Sequence, residues 1–498
     1  MMTNIQVDYL DRKIGHAGDQ LMWINGEPVA AISGEVIPVQ DPATGQTIGS
    51  APAGGRADAD RAVAAARRSF DQGIWRNLGG GARQLILWRA AGLLEAHADE
   101  LADLEALNSG MLLPMARMMV HGAIEMLRYY AGAATRIHGQ TSEMSAPETG
   151  QFQAYTAREP VGVAALVVAW NLPIALTVCK LSSALAAGCS CIVKPAEETP
   201  FTALLLTRLF EEAGVPAGVI NVLTGHGHEA GAALAEHPDV DKIAFTGSTE
   251  IGKVIVNAAT GNLKKVTLEL GGKSPVLVFN DANLARAVPT IAAGIFSHAG
   301  QLCMAGSRLY VQRGVYDEVV NGIAKIANGL KTGHAFDAAA QLGPLISGRQ
   351  MQRVLGLISS GRQEGAELVA GGTQTGERGY FVRPTILANP TPNARILREE
   401  IFGPVLTVMA FDEMEEAIAA GNRTDYGLAA AVWSEDVHKS HLAAKHLQAG
   451  TVWINCGFVS DVSMPTGGFK QSGWGRELGA EGLDAYLQTK SVFSALSA

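Results

Sequence analysis

The fold is decided by residues 161–194, which read VGVAALVVAWNLPIALTVCKLSSALAAGCSCIVK. An apolar run, Val161–Ala169, is followed by a helical pattern over Ile174–Ala187 and by a second apolar run, Cys191–Lys194. Strands that are buried on both faces read as continuous apolar runs, and parallel strands need a crossover helix between them. The stretch therefore predicts two neighbouring strands of a parallel sheet with one crossover helix.

The same rhythm continues to about residue 270. Further apolar runs and helical patterns alternate at Thr202–Ala213, Val219–Leu223, Glu229–Glu236, Lys242–Thr246, Glu250–Ala259 and Val266–Leu270. This alternation predicts a doubly wound parallel sheet of the α/β class. From Gly271 a second α/β unit begins, with strands expected at Pro275–Phe279 and Arg308–Val311. Before the first sheet, helices are expected at Ala57–Phe70, Leu85–Ala106 and Met115–Ile137, and an extended segment at Gln151–Arg158.

Composition excludes several classes of protein. A chain of 498 residues has room for two or three domains. The formal net charge is −9 and no block of basic residues is visible, so no nucleic-acid partner is expected. No apolar run is long enough for a membrane span. The five cysteines are odd in number and sparse, and the N-terminus lacks an apolar signal core, so we expect a reducing, cytoplasmic location.

Three residues have side chains suited to covalent catalysis. Cys303 lies in GQLCMAGSR (300–308), where small neighbours leave a ligand room to approach the thiol. Glu269 ends an apolar strand before two glycines and is a candidate general base. Asn171 follows the first strand and could donate its amide to an oxyanion. Taken singly, each also has an ordinary structural interpretation: a buried small hydrophobe, a solvated strand-end charge and a turn asparagine.

Other polar residues follow the predicted strands, where ligands bind in open α/β sheets. Lys194 and Glu197 in KPAE (194–197) could hydrogen-bond ribose hydroxyls, or lie in a solvated loop. In FTGSTEIG (245–252), Gly247 and Ser248 begin a helix whose amides could face a phosphate, although the pattern is not the usual dinucleotide fingerprint. No metal site is expected at GHGH (225–228), since no third ligand is near.

Taken in order, the motifs are far more specific than any one of them. They are AWNLP (169–173), KPAE (194–197), FTGS (245–248), ELGGKSP (269–275), GQLC (300–303) and EEIFGP (399–404). With this set, the chain resembles the NAD(P)-dependent aldehyde dehydrogenase superfamily from about Ile24 to Val492. Residues 162–173 and 470–473 look like the bacterial phenylacetaldehyde dehydrogenase branch.

The resemblance implies a three-part subunit. A Rossmann-like coenzyme domain would comprise residues 1–137 and 161–270, and an α/β catalytic domain residues 271–470. Residues 138–160 and 471–498 would form a small β oligomerisation arm. The implied assembly is a homodimer or a homotetramer.

The resemblance also implies roles for individual residues. Cys303 would be the nucleophile, Asn171 with the Cys303 backbone N–H the oxyanion site, Glu269 the base, and Glu477 a proton relay. The coenzyme would be NAD rather than NADP, because Glu197 would repel a 2′-phosphate. The implied coenzyme contacts are Lys194 and Glu197 with the adenosine ribose, Trp170, Gly247 and Ser248 near the pyrophosphate, Glu400 with the nicotinamide ribose and Phe402 beside the ring.

The expected substrate funnel is uncharged and has few aromatic side chains. Its members are Leu172, Leu176, Cys179, Leu302 and Thr466. A charged aldehyde would be desolvated there without a partner, so an apolar aryl or medium-chain aliphatic aldehyde is expected. Two alternatives remain open: a CoA-acylating dehydrogenase, which typically lacks a carboxylate at the position of Glu269, and a catalytically silent structural protein on the same fold.

Overall fold

The computed structural model describes residues 17–144 and 151–496. Its largest sheet has eight strands, of which the five central ones are parallel and the outer ones antiparallel. Across the sheet the strands are Gly473–Trp474, Lys265–Glu269, Lys242–Thr246, Val163–Val167, Ser190–Lys194, Ile220–Val222, Met22–Ile24 and Glu27–Val29. The predicted doubly wound sheet is therefore confirmed.

The order of these strands creates a crevice for a ligand. The chain enters the parallel part at Val163–Val167, moves outward through Ser190–Lys194 and Ile220–Val222, and returns to Lys242–Thr246 on the other side of its first strand. Where the strand order reverses in this way, the loops after the two central strands diverge and leave a crevice at their carboxyl ends. Residues 168–171 and 247–248 leave the sheet at that crevice.

Both faces of this sheet are covered, as the continuous apolar runs predict. Val163, Ala165 and Val167 belong to one core, while Ala164 and Leu166 belong to the core on the opposite face. The helices that enclose the sheet are Arg56–Gln72, Gly80–Ala96, Ala98–Ser109, Leu113–Ala133, Pro173–Ala187, Phe201–Glu212, Ala232–Glu236 and Thr249–Ala259. Among the described residues, no helix has the length and apolar character needed to cross a bilayer.

A second sheet of seven strands carries the rest of the site. Its strands, in spatial order, are Glu367–Ala370, Thr385–Ala388, Val405–Phe411, Arg308–Gln312, Pro275–Val278, Ala429–Trp433 and Thr451–Ile454. All neighbours are parallel except the first pair. Its helices are Leu284–Phe296, Tyr316–Gly329, Gly348–Gln363, Arg395–Arg398, Met414–Asn422 and Val437–His446.

Two small sheets complete the fold. Gly18–Asp19, Thr47–Pro52 and Val36–Gln40 form one of them. In the other, Leu487–Ala495 pairs antiparallel with Phe152–Pro160 along nine residues, and Thr141–Ser142 lies at the edge. These strands fall within the predicted oligomerisation arm. Gly473–Trp474, which the prediction also assigns to the arm, pairs instead with the eight-stranded sheet. The three-part division of the subunit stays a prediction, and its residues 1–16, 145–150 and 497–498 lie outside the described part.

One predicted helix is wrong. The expected helix Leu85–Ala106 is two helices, Gly80–Ala96 and Ala98–Ser109, which meet at His97 with φ −103° and ψ 18°. Both helices bury apolar residues in the same core, so the apolar periodicity continues through the bend and does not reveal it. The expected helix Glu229–Glu236 likewise begins as a π turn, Gly227–Gly231, before the short helix Ala232–Glu236.

Candidate active site

Asn171 connects the crevice of the first sheet to the cysteine loop. It follows the strand Val163–Val167 and is only 4% exposed. Its Nδ2 donates to the backbone carbonyl of Gln301 at 2.9 Å, two residues before Cys303. A primary amide has two N–H groups, so this bond fixes the side chain and leaves a second donor for a ligand. The turn asparagine is thus held against the loop of the candidate nucleophile.

The cysteine loop is rigidly supported by Gln301. The side chain of Gln301 donates to the carbonyls of His298 at 3.0 Å and Pro344 at 3.3 Å, and accepts from the Ile346 N–H at 2.8 Å. His298 and Ala299 have φ of +49° and +54°, which L residues adopt only when their surroundings hold them there. Sequence reasoning did not assign Gln301 a role, because a buried glutamine in a loop has no distinguishing pattern.

Cys303 is half-buried, whereas Cys179, Cys189 and Cys191 are buried. Burial, together with the smaller effect of the nearby Glu400 and Glu269 carboxyls, raises the pKa of the Cys303 thiol to about 12. The group is therefore a neutral thiol at neutral pH. To react as a thiolate it needs a base or a cationic group in the assembled site.

Glu269 is not the solvated strand-end charge that one interpretation of the sequence allowed. It ends the strand Lys265–Glu269, is 8% exposed, and its Oε1 has no hydrogen-bond partner among the described residues. Burial raises its pKa well above the usual range, and the charge of Glu477 raises it further, while Lys180 opposes the shift. A carboxyl with a raised pKa and an unpaired oxygen is well suited to accept a proton.

Glu477 lies beside this carboxyl in a second buried cluster. It forms an ion pair with Nζ of Lys180, whose side chain is fully buried, and its Oε2 lies 3.7 Å from the Cys179 thiol. Its backbone pairs with Thr466 through two hydrogen bonds of 2.7 and 2.8 Å. Sequence reasoning missed Lys180, although a signal was available: it is the only charged residue in the helix Pro173–Ala187.

The structure brings together some of the predicted funnel residues. Leu172, Leu176 and Cys179 have a spacing of four and three residues at the start of one helix, so they share a face. Cys179 and Thr466 meet at Glu477. Leu302 packs against the core of the second sheet, beside Cys303 in sequence.

The loop 457–464 carries one charged residue, Asp461. Its carboxylate accepts from the backbone N–H and hydroxyl of Ser463, at 2.8 and 2.6 Å, in an exposed turn. These bonds lower the pKa of Asp461. The charge is thereby held at the surface by its own loop.

Glu197 follows the strand Ser190–Lys194 of the first sheet and is flanked by two basic side chains. Its Oε2 lies 3.2 Å from Nζ of Lys194, which is 2% exposed, and its Oε1 lies 3.8 Å from Nδ1 of His226. Burial disfavours the charge of Glu197, but Lys194 and His226 outweigh that effect and its pKa is lowered. Glu197 is therefore an ionised carboxylate after the strand Ser190–Lys194, with acceptor capacity for hydroxyl groups.

The strand, glycine turn and helix predicted at 245–252 are present. Ser248 is the N-cap of the helix Thr249–Ala259, and its hydroxyl accepts from the Ile251 N–H at 3.3 Å. A Cβ on Gly247 would lie 2.3 Å from the Phe245 ring, so a larger residue in this turn would force that ring to move. Thr246 Oγ1 is buried without a partner in the part of the chain that the structure describes. A helix N-terminus at a strand end is a suitable site for an anionic group.

The second sheet contributes Glu400 and Phe402 to the same region. Glu400 Oε1 accepts from the Gly272 N–H at 2.9 Å, and burial raises its pKa to about 7. The Phe402 ring lies edge-on to Trp170, with centroids 5.3 Å apart. Phe402 has φ +56°, and Nε2 of Gln350 holds its carbonyl at 2.8 Å. Trp170, predicted near a pyrophosphate, is thus in contact with the residue predicted beside the nicotinamide.

Together these features are typical of an α/β enzyme: a crevice at a strand reversal, an amide donor from that crevice bonded to a cysteine loop, and a buried carboxyl. Residues 29–492 match the model of the aldehyde dehydrogenase family. The chain belongs to this family.

The similarity of this chain to known relatives extends along nearly its whole length. Aldehyde dehydrogenase 1 of Tanacetum cinerariifolium is 45% identical over 473 residues, covering 95% of this chain and 94% of the relative. The NAD⁺ complex of an aldehyde dehydrogenase from Bacillus cereus has a TM-score of 0.94 and 42% identity, covering 100% of this chain and 99% of that one. A betaine aldehyde dehydrogenase from Staphylococcus aureus has a TM-score of 0.94 and 36% identity, with 96% of each chain covered.

Proposed function

We propose that this protein oxidises an apolar aldehyde, aryl or medium-chain aliphatic, to its carboxylic acid with NAD, through a covalent intermediate on Cys303. The observation that carries the proposal is the hydrogen bond of 2.9 Å from Asn171 Nδ2 to the Gln301 carbonyl. This bond places an amide donor from the first sheet against the loop of the nucleophile from the second. The unpaired Oε1 of Glu269 supports the hydrolytic half of the reaction.

The residues around the crevice fit NAD. Lys194 and Glu197 would hold the adenosine ribose, Gly247, Ser248 and Trp170 would lie near the pyrophosphate, and Glu400 and Phe402 would hold the nicotinamide end. The Thr246 hydroxyl, which has no partner among the described residues, and the tight turn at Gly247 support this placement, since they leave a hydroxyl and backbone N–H donors at a helix start. When bound, NAD supplies the hydride acceptor that the oxidation requires.

The protein's own residues account for the other steps. The Cys303 thiol first gives up its proton to a base, for which Glu269 is the candidate, directly or through water. Sγ then bonds to the aldehyde carbon as the C=O π pair moves to oxygen, and the second N–H of Asn171 with the Cys303 backbone N–H stabilises the oxyanion. After oxidation the acyl group remains on Cys303 as a thioester. Glu269 takes a proton from water, the hydroxide attacks the thioester carbon, and the carbon–sulfur bond breaks to release the acid. Glu477, coupled to Glu269 by charge, would pass the proton onward.

The coenzyme preference follows from Glu197. An ionised carboxylate accepts from ribose hydroxyls, whereas a 2′-phosphate would meet a like charge. Lys194 at 3.2 Å offsets part of that repulsion, so we expect NAD to be preferred with some residual use of NADP.

The substrate class follows from the absence of charge among Leu172, Leu176, Cys179, Leu302 and Thr466. Asp461, the one charge in the neighbouring loop, is held in an exposed turn. Each buried methylene contributes roughly 0.8 kcal/mol, which favours apolar aldehydes. The likeness of residues 162–173 to phenylacetaldehyde dehydrogenases supports an aryl substrate.

The test is NADH formation with phenylacetaldehyde, hexanal, succinic semialdehyde and betaine aldehyde, each with and without CoA. Betaine aldehyde is included because one structural relative is named for it. We expect the highest kcat/KM for one of the two apolar aldehydes, free acid as product and no dependence on CoA. A best rate with either charged aldehyde would contradict the substrate class. Acyl-CoA as product, or no NADH with any aldehyde, would contradict the reaction itself.

A further inference from the structure

The helix Ala98–Ser109 contains polar side chains where the solvent does not reach. Every residue from Leu101 to Ser109 is buried, although the helix carries Glu105 and Asn108 in this stretch. Burying a carboxylate or an amide without partners is costly, so their contacts account for their presence. The two residues are three positions apart and therefore lie on one face of the helix.

Glu105 caps a helix that has no cap of its own. The helix Pro173–Ala187 begins after Leu172, which provides no capping side chain. Glu105 Oε1 instead accepts from the Ile174 N–H at 3.0 Å, and its Oε2 accepts from the Thr202 hydroxyl at 2.9 Å. Burial raises the pKa of Glu105 to about 7, while these two bonds oppose the shift. A carboxylate at a helix N-terminus is favourable, and here it holds Ile174, three residues after Asn171.

Asn108 holds the neighbouring loop in the same manner. Its Nδ2 donates to the carbonyl of Glu198 at 2.8 Å, and its Oδ1 accepts from the Phe201 N–H at 3.4 Å. These residues lead from Glu197 into the helix Phe201–Glu212. Asn108 therefore fixes the loop that carries the proposed ribose carboxylate.

The C-terminal end of the helix Ala98–Ser109 packs against the segment at Gly343 and Pro344, which supports the cysteine loop. A Cβ on Gly343 would lie 2.4 Å from the Gly110 carbonyl, and one on Gly110 would lie 2.6 Å from Cγ of Pro344. The Pro344 carbonyl in turn accepts from Gln301, whose own carbonyl accepts from Asn171. One buried helix thus contacts the supports of the nucleophile, the oxyanion donor and the ribose carboxylate.

We propose that Glu105 and Asn108 are positioning residues with separable effects: Glu105 sets Asn171 against the loop of Cys303, and Asn108 sets Glu197 for the coenzyme. The inference rests on the proposed function. Loss of Glu105 should slow the chemical step, because the oxyanion donor shifts, while Asn108 still holds the coenzyme loop on both sides through Glu198 and Phe201 even without the Thr202 contact. Loss of Asn108 should weaken coenzyme binding and leave the rate at saturation nearly unchanged.

The test compares Glu105→Leu, Glu105→Gln and Asn108→Leu, with Asp99→Asn as a control on the exposed start of the same helix. We expect Glu105→Leu to lower kcat by roughly 10- to 100-fold with the Kd for NAD changed less than about twofold. Glu105→Gln keeps an oxygen that accepts from the Ile174 N–H, so it should recover most of kcat. Asn108→Leu should raise the Kd for NAD, measured by calorimetry, about 10-fold with kcat within about threefold.

The inference is overturned if Glu105→Leu and Asn108→Leu have equal effects on kcat and on the Kd for NAD. It is also overturned if the kcat of Glu105→Gln is no higher than that of Glu105→Leu. If a leucine variant does not fold, Thr202→Val removes one donor to Glu105 and must still lower kcat more than it changes the Kd for NAD. An unchanged kcat in that variant would also contradict the proposal. A wild-type protein that binds NAD but oxidises no aldehyde would overturn the proposed function instead, while the Kd of Asn108→Leu would still test the role of Asn108.

Discussion

Glu197 lies between Lys194 and His226, with 3.2 and 3.8 Å separating its oxygens from their nitrogens. At the residue scale, we propose that this one carboxylate sets the preference for NAD over NADP. Glu197→Gln keeps the shape and removes the charge that would repel a 2′-phosphate. We expect kcat/KM with NADP to rise about 10-fold relative to NAD, which corresponds to ~1.4 kcal/mol.

Steady-state kinetics with both coenzymes check this prediction, and Glu198→Gln serves as the control, since Glu198 is the adjacent carboxyl. If the ratio of kcat/KM with NADP to kcat/KM with NAD is unchanged in Glu197→Gln, or shifts equally in both variants, Glu197 does not set the coenzyme preference.

Candidate site residues that lie next to a recognisable motif could be proposed from the sequence, and residues that support them across the fold could not. Asn171 follows the strand Val163–Val167 and Glu269 ends the strand Lys265–Glu269, and these parallel strands bring their carboxyl ends to one edge. Cys303 was marked by the small residues around it in the loop after Gly300. Gln301 and Glu105 act through contacts made only after distant segments pack, 45 residues apart from Gln301 to Ile346 and 69 from Glu105 to Ile174. No local pattern in the sequence marks such pairs.

At the scale of elements, we propose that the N-terminus of the helix Thr249–Ala259 combines its structural cap with a role in binding the coenzyme. Ser248 caps this helix by accepting from the Ile251 N–H. Ser248→Ala should lower the free energy of unfolding by about 1 kcal/mol and weaken NAD binding, because the first turn loses an acceptor that fixes it.

Urea denaturation and NAD titration measure the two effects. Asp436→Ala is the matched control, since Asp436 caps the helix Val437–His446 through the Lys439 N–H at 3.0 Å. It should cost similar stability and leave NAD affinity unchanged. Equal NAD affinity in the two variants would exclude Ser248 from the coenzyme site.

Strands with one clear apolar run were the best-predicted elements. The strand Lys242–Thr246 has the bounds that the sequence predicts, because its burial is nearly complete and a glycine turn ends it. The bend at His97 escaped prediction because a helix boundary without proline or glycine leaves no mark on periodicity.

At the scale of the whole molecule, the strand Leu487–Ala495 leaves apolar side chains exposed. Phe493, which lies opposite Ala154, is 63% exposed, and Tyr155, which lies opposite Val492 on the other face of the strand pair, is 41% exposed. We propose that this arm joins subunits into a dimer or a tetramer. A chain ending after Leu487 keeps the buried Tyr486 and Leu487 but loses the outer strand, so it should have a smaller assembly mass by light scattering. An unchanged mass would show that the arm does not hold the assembly together, and Phe493→Ser tests the exposed face alone.

The central claim is that a thioester forms on Cys303 and is hydrolysed with Glu269 as base. Rapid mixing of the Glu269→Gln variant with NAD and an apolar aldehyde tests this claim most directly. We predict a burst of NADH close to one per active site, followed by a steady rate lowered at least about 100-fold, because acylation proceeds and deacylation lacks its base. Cys303→Ala should bind NAD and give no burst. A Glu269→Gln variant that turns over like the wild type, or a Cys303→Ala variant that still forms NADH, would contradict the mechanism.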